Sequence, residues 1–182
     1  MVLKDKDIRA ALKEHLARRK PTAEKVVDEL RVQNGGAIAD VVALYKEMHC
    51  YEIKGETDSV GRLTKQSSFY SLVFPKLTAV VALNHLKWAM SNLPSYWGII
   101  VAVEKEGVVT LCYKRSAGFN PNFDKELGLM ILWKDELINI ASNILSIRVK
   151  SSHTRQELAS IMGPMLKKND VLGLIKNAIL AR

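Results

Sequence analysis

The stretch "AIADVVALYKEMHCYEIKGETDS", residues 37–59, carries the fold reading. "AIADVVALY" (37–45) and "HCYEIK" (49–54) are rich in β-branched and aromatic residues. Only the short "KEM" separates them, so the pair predicts a β-hairpin. Residues two apart on a strand share a face. Glu52 and Lys54 therefore project together, while Tyr51 and Ile53 turn the other way, into the core. Asp40 interrupts an otherwise apolar strand. A lone Asp is unfavourable there unless it is exposed or has a partner. Across a hairpin of this length it comes near Glu52.

Outward from the hairpin, residues 7–19 predict an amphipathic helix with Ile8, Leu12 and Leu16 on one face. "KPTAEKVVDELRVQ" (20–33) predicts a second helix, with Pro21 in its first turn and Val26, Val27 and Leu30 as its buried stripe. "NGG" (34–36) ends it. "SVGRLTKQSSFYSLVF" (59–74) predicts a helix capped by Asp58 or Ser59 and stopped by Pro75. "LTAVVAL" (77–83) is the continuous apolar run of a strand buried on both faces, and "HLKWAMSNL" is a short helix. "YWGIIVAVEKEGVVTLCYKR" predicts a second hairpin, with strands near 97–103 and 108–114 and Gly107 in the turn. "FDKELGLMILWKDELINIASNIL" (123–145) predicts one long helix, apolar nearly all round and so largely buried. Thr154 with Glu157 forms a capping box, Gly163-Pro164 breaks that helix, and a last helix spans 170–180. The expected fold is α/β: a mixed sheet flanked by helices, with an extra hairpin and C-terminal helices. Residues 1–147 form the α/β domain and 148–182 a basic helical extension packed on it.

The chain has 182 residues, enough for a substantial core, with 48% hydrophobic and 25% charged residues. The charged start "MVLKDKDIRA" does not look like a signal peptide, and no apolar run reaches the length of a membrane span. Cys50 and Cys112 in apolar strands suit a reducing cytoplasm better than a secreted, disulfide-stapled chain, and their spacing is not that of a zinc site. The net charge of +8 is concentrated at the ends. Residues 1–34 hold nine basic and six acidic groups, residues 35–147 eleven of each, and residues 148–182 seven basic and two acidic. Basic ends suit a polyanion such as nucleic acid, although a solvated basic face would look the same.

Glu-x-Lys by itself is a common exposed ion pair of little energetic consequence. With Asp40 nearby it acquires a chemistry. Two carboxylates brought together repel, and a hard divalent cation removes that cost while keeping waters and substrate phosphate in its shell. A lysine beside the metal orients or deprotonates the attacking water and stabilises charge on phosphorus. Gln66 and Tyr70 share a face of the next helix, with Arg62 one turn earlier. They can brace the lysine or reach a nucleic-acid backbone, or simply pack on the sheet. Glu29 can add a water-bridged metal contact, or be a surface glutamate.

Together, "EL" with Glu29, "ADVV" with Asp40, "YEIKGETDS" with Glu52 and Lys54, and "RLTKQSSFY" with Gln66 and Tyr70 resemble the PD-(D/E)XK nuclease superfamily. The Gln-x-x-x-Tyr element is similar to that of its RecB-like and Cas4-like branch. "LPSYWGIIVAV", "RSAGFNPN", "LGLMILWKDEL" and "TRQELASIM" are similar to a family of bacterial and phage proteins built on that core. The resemblance implies a restriction-endonuclease-like core and hydrolysis of DNA phosphodiesters with Mg²⁺ or Mn²⁺. Asp40, Glu52 and the Ile53 carbonyl would ligate the metal, with Lys54 on the water. Gln66, Tyr70, Arg62 and Lys65 would hold substrate. Two departures stand out. Ala39 replaces the proline of the superfamily motif. Only two strands are read between the first helix and the motif helix, where the superfamily has three, with "LRVQ" the sole candidate for another.

His15, His49, His85 and His153 lack ligand spacing and read as surface or capping histidines. Trp88, Trp97 and Trp133 read as core or groove-lining, with Tyr96 and Trp97 able to stack on a base. P-loop, Rossmann and zinc-peptidase signatures are missing from the sequence. The other functional classes left open are a catalytically silent nucleic-acid-binding module and a phage or host-defence factor acting through another protein. Oligomeric state is open too, a dimer included.

Overall fold

The computed structural model describes residues 2–32 and 35–182. Helix α1 (Asp5–Arg18) is followed by strands β1 (Lys25–Val32), β2 (Ala37–Leu44) and β3 (Met48–Lys54), helix α2 (Gly61–Val73) and strand β4 (Lys76–Ala82). Then come α3 (Leu86–Asn92), the hairpin β5 (Gly98–Lys105) and β6 (Val108–Arg115), and helices α4 (Lys125–Leu129), α5 (Lys134–Asn139), α6 (Arg155–Met162) and α7 (Lys168–Ala181). The six strands lie in sequence order in one sheet. β1–β2, β2–β3 and β5–β6 are antiparallel, whereas β3–β4 and β4–β5 are parallel. The fold is α/β with a mixed sheet flanked by helices, as expected.

α1 covers one face. Ile8, Leu12 and Leu16 pack there on Val41, Ala43, Tyr51, Ile53, Val80 and Ile100. The larger core lies on the other face, where α2 and α4–α7 bring Leu63, Tyr70, Leu129, Leu158 and Ile175 against Val42, Cys50, Leu77 and Val81. The basic C-terminal helices thus share this core. β4 is buried on both faces from Leu77 onward, which explains its unbroken apolar sequence.

Three expectations fail. The predicted second helix is strand β1, so three strands lie between α1 and α2. Its expected stop "NGG" begins on Asn34 and "LRVQ" ends on Gln33, both outside the described residues. The reason is a shift of phase. Val27 packs on the larger core but so do Leu30 and Val32, so the inward side changes from odd to even positions. The change occurs at Glu29, whose φ of 54° is left-handed. A strand with such a shift imitates helical spacing. The opposite change occurs on β2, where Ala37 and Ala39 face the larger core, Val41 and Ala43 face α1, and Val42 and Leu44 face the larger core again. Register is kept throughout, Asp28 opposite Val41 and Leu30 opposite Ala39, so Glu29 lies across from Asp40.

Second, residues 123–145 are not one helix. α4 ends after Leu129, α5 begins at Lys134 with Glu136 accepting from the Trp133 N–H at 2.7 Å, and a π-turn follows at Ile140–Ile144. Short segments at different angles each bury a different side, so the sequence looks apolar all round. Third, neither Asp58 nor Ser59 caps α2. The N-cap is Val60, and the Asp58 carboxylate instead accepts from the Gly55 N–H at 2.7 Å. The Thr154–Glu157 capping box forms as expected. Among the described residues no helix is long and apolar enough to cross a membrane.

Candidate functional site

The last backbone pair between β2 and β3 on this side is Val41 with Tyr51. Beyond it the strands part, and Asp40 lies in the opening. Its Oδ2 accepts the Ile53 N–H at 2.7 Å, replacing the missing strand pairing with a side-chain bond. From α1, Arg9 donates to Asp40 Oδ1 at 3.1 Å and to the Asp40 carbonyl at 2.7 Å. Burial raises the Asp40 carboxyl above the usual range, against the lowering pull of the Ile53 N–H, Lys54 and Arg9.

Glu52 and Lys54 share a face, and Lys54 Nζ donates to Glu52 Oε1 at 2.6 Å. This is no surface pair. The Glu52 side chain is 1% exposed and that of Lys54 11%. Burial pushes the Glu52 carboxyl up to about 7. The nearby Asp40 charge adds to this, and Lys54 and Tyr70 oppose it. Glu52 Oε2 is buried without a hydrogen-bond partner, as is Gln66 Oε1. A buried ion pair is expensive to desolvate and stabilises a fold poorly, so two enclosed acceptors beside one suggest a functional arrangement.

α2 covers this opening from the larger core. The Tyr70 hydroxyl donates to the Ile38 carbonyl at 2.6 Å and is approached by Gln66 Nε2 at 3.4 Å. Thus Asp40, Glu52, Lys54, Gln66 and Tyr70 form one neighbourhood. Arg62 and Lys65 are exposed on α2 and form no ion pair with a described residue. Glu29, expected at a helix end, is exposed on β1 and lines a cleft beside Asp40. Arg9 was not anticipated. Only its four-residue spacing from Asp5 is visible in the sequence, and that marks an ordinary helix pair.

Among the described residues no group of three or more His, Cys, Asp or Glu side chains is arranged to hold a metal. The test of a divalent cation therefore rests on a smaller donor set. Glu52 Oε2 is an unsatisfied buried acceptor, Asp40 is its neighbouring carboxylate, and the Ile53 carbonyl lies between Glu52 and Lys54 in the chain. That set fits Mg²⁺ or Mn²⁺, which complete their shells with water and phosphate.

Trp97 is core and Trp133 lines a cleft, as expected, but the base-stacking role offered to Trp97 fails. Trp97 is fully buried with its Nε1 near Ser71 Oγ at 3.4 Å, so it offers no face to a base. Trp133 is 60% exposed. His49 is no surface residue: it is buried between Thr78 Oγ1 at 2.7 Å and Tyr51 Oη at 3.3 Å, on the α1 side away from Glu52. His153 closes a turn, its Nδ1 accepting from the Lys150 N–H, while Thr154 caps the helix that follows.

Among solved structures the chain is similar to a protein of unknown function from Silicibacter pomeroyi. The two share 13% identity with a TM-score of 0.41, over 68% of this chain and 83% of that one. Comparison with curated proteins gives no match. The match that spans the molecule runs over residues 2–180, through α1, the parted strands and the C-terminal helices alike, and it is to a family described as Bacteriophage P4 protein cII: the chain belongs to that family.

Proposed function

We propose that this phage-type protein is a metal-dependent nuclease hydrolysing DNA phosphodiester bonds at the opening between β2 and β3. The observation that carries the reading is the buried Glu52 carboxylate, bonded through one oxygen to Lys54 and left without a donor on the other. Support comes from the three strands that lie between α1 and α2, the number that the resemblance to a restriction-endonuclease-like core implies. Bound Mg²⁺ or Mn²⁺ would supply a Lewis acid and a more acidic water. Asp40, Glu52 and the Ile53 carbonyl would hold it. Lys54 orients the attacking water and stabilises negative charge on the phosphate. Gln66 and Tyr70 brace the site from α2, and Arg62 and Lys65 offer exposed cations to the strand. Glu29, a strand away from Asp40, reaches the metal only through water.

The competing reading is a catalytically silent nucleic-acid-binding module. It is favoured by one observation: Arg9 already neutralises Asp40. The discriminating experiment incubates single- and double-stranded DNA and RNA with the protein and Mg²⁺ or Mn²⁺. Cleavage lost in both Glu52→Gln and Lys54→Ala supports the nuclease. No cleavage by the wild type, or cleavage unchanged in both variants, overturns it.

A further inference from the structure

One cleft is left out of the site just described, although it begins one strand away. It has a volume of about 440 Å³ and opens between β1, the turn after α4, the start of α6 and Arg182. Glu29 and Arg31 line it from β1, Trp133 from the turn before α5, and Arg155 and Arg182 from the C-terminal helices. Its volume lies within the range of small-ligand pockets, but its lining is unusually cationic.

The three guanidiniums differ in their attachment. Arg182 is anchored, bonded to Glu136 at 2.7 and 2.9 Å and to the Ile131 carbonyl at 3.2 Å, and it lies over one face of Trp133 at 4.3 Å. Arg155 is held at one end by the Met130 carbonyl, while its Nε is buried without a hydrogen-bond partner. Arg31 is exposed and forms no ion pair with a described residue. Glu136, which answers Arg182, also accepts the Trp133 N–H. Among the described residues that line the cleft, Glu29 is the carboxylate. The Arg155 and Arg182 charges disfavour each other, and burial together with Arg182 lowers the Arg155 pKa. An anion would relieve that repulsion and supply an acceptor for the enclosed donor.

We propose that this cleft seats one nucleotide of the bound strand, its phosphate taken by Arg31 and Arg155 and its base stacked on the Trp133 face that Arg182 leaves open. The inference rests on the reading of the chain as a protein that acts on nucleic acid, and it adds a base contact to the phosphate contacts of the Glu52 site. Leu30 in the cleft wall pairs with Ala39, the residue before Asp40, so the cleft wall and the opening between β2 and β3 stand on neighbouring strands. Base stacking on an exposed tryptophan tolerates any sequence, whereas phosphate contacts make affinity depend on salt.

The test measures binding of a fluorescent single-stranded oligodeoxynucleotide by anisotropy in EDTA, where cleavage is absent, across a salt series. Arg31→Glu and Trp133→Ala are chosen because both residues are exposed and neither side chain donates a bond that holds the fold. Arg31→Glu should weaken binding about tenfold or more and flatten the salt slope by about one. Trp133→Ala should weaken it about fivefold or more. Oligonucleotide affinity unchanged in both cleft variants overturns the proposal, as does a wild type that binds no oligonucleotide. So does inorganic phosphate or a nucleoside monophosphate binding as tightly as the strand, which would mark a small-anion site. Cleft-dependent binding without metal-dependent cleavage keeps this inference and removes the nuclease reading.

Discussion

Arg9 holds Asp40 at two points, its Nη1 on the main-chain carbonyl at 2.7 Å and its Nη2 on Oδ1 at 3.1 Å. One guanidinium therefore fastens α1 to the opening between β2 and β3 and occupies the charge a cation would use. Arg9→Gln separates these roles. Losing charge-assisted bonds in a half-buried setting should cost about 1–3 kcal/mol in urea unfolding. Freed from competition, Asp40 should bind Mn²⁺ more tightly in calorimetry. A weaker Mn²⁺ affinity would show that Arg9 positions Asp40 rather than competing for it.

Glu52 gives the metal-free protein a pH dependence of known sign. Its carboxyl titrates near 7 in the fold, against an ordinary value of 4.5. Between those values the folded chain holds a proton that the unfolded chain has released, so stability falls as pH rises through that window and levels off above it. The raised Asp40 carboxyl acts in the same direction. Unfolding in EDTA should lose on the order of 3 kcal/mol between pH 4.5 and 7 from Glu52. Glu52→Gln should flatten that stretch of the curve. A wild-type profile that rises through the window would contradict the buried, proton-holding carboxyl.

Gly55 follows Lys54 directly and has no room for a side chain. A Cβ there would lie 2.8 Å from the Leu3 carbonyl and 3.0 Å from the Asp5 nitrogen, both backbone atoms. The Leu3 carbonyl also accepts from the Glu56 N–H at 2.8 Å, which ties the segment before α1 to the end of β3. Gly55→Ala must push these backbones apart. The expected loss is about 1–3 kcal/mol by urea unfolding, whereas Gly61→Ala, at an exposed helical position with room for a Cβ, should be neutral or slightly stabilising as control.

What the sequence conveyed about this molecule follows the range of each contact. The β2–β3 hairpin, the run of β4 and the β5–β6 hairpin were legible because their periodicity is local. β1 was not: the inversion at Glu29 hides its alternation, and nothing nearby in the chain announces a left-handed glutamate. Glu52 and Lys54 were legible as a pair because two residues on one strand must share a face. Their burial was not, since it depends on α2 closing over them. Arg9 reaches Asp40 across 31 positions, and the Arg31–Trp133–Arg155–Arg182 cleft gathers four separated segments. Charges on such elements look like solvated surface until the chain is folded.

Tyr70 tests whether the Gln-x-x-x-Tyr element serves the site or only the packing. Its hydroxyl bonds the Ile38 carbonyl at 2.6 Å and helps favour the ionised form of Glu52. Tyr70→Phe keeps the ring in the core and removes both effects. The lost hydrogen bond should cost about 1 kcal/mol. With one stabilising influence gone, the Glu52 carboxyl should titrate higher still. Mn²⁺ must displace that proton, so the pH at which Mn²⁺ binding reaches half its alkaline strength should move upward. Gln66→Ala leaves the Tyr70 hydroxyl on Ile38 and should move that midpoint less. If Tyr70→Phe lowers stability but leaves the midpoint of Mn²⁺ binding where it was, the tyrosine is a strap between α2 and β2 and has no part in tuning the carboxylate.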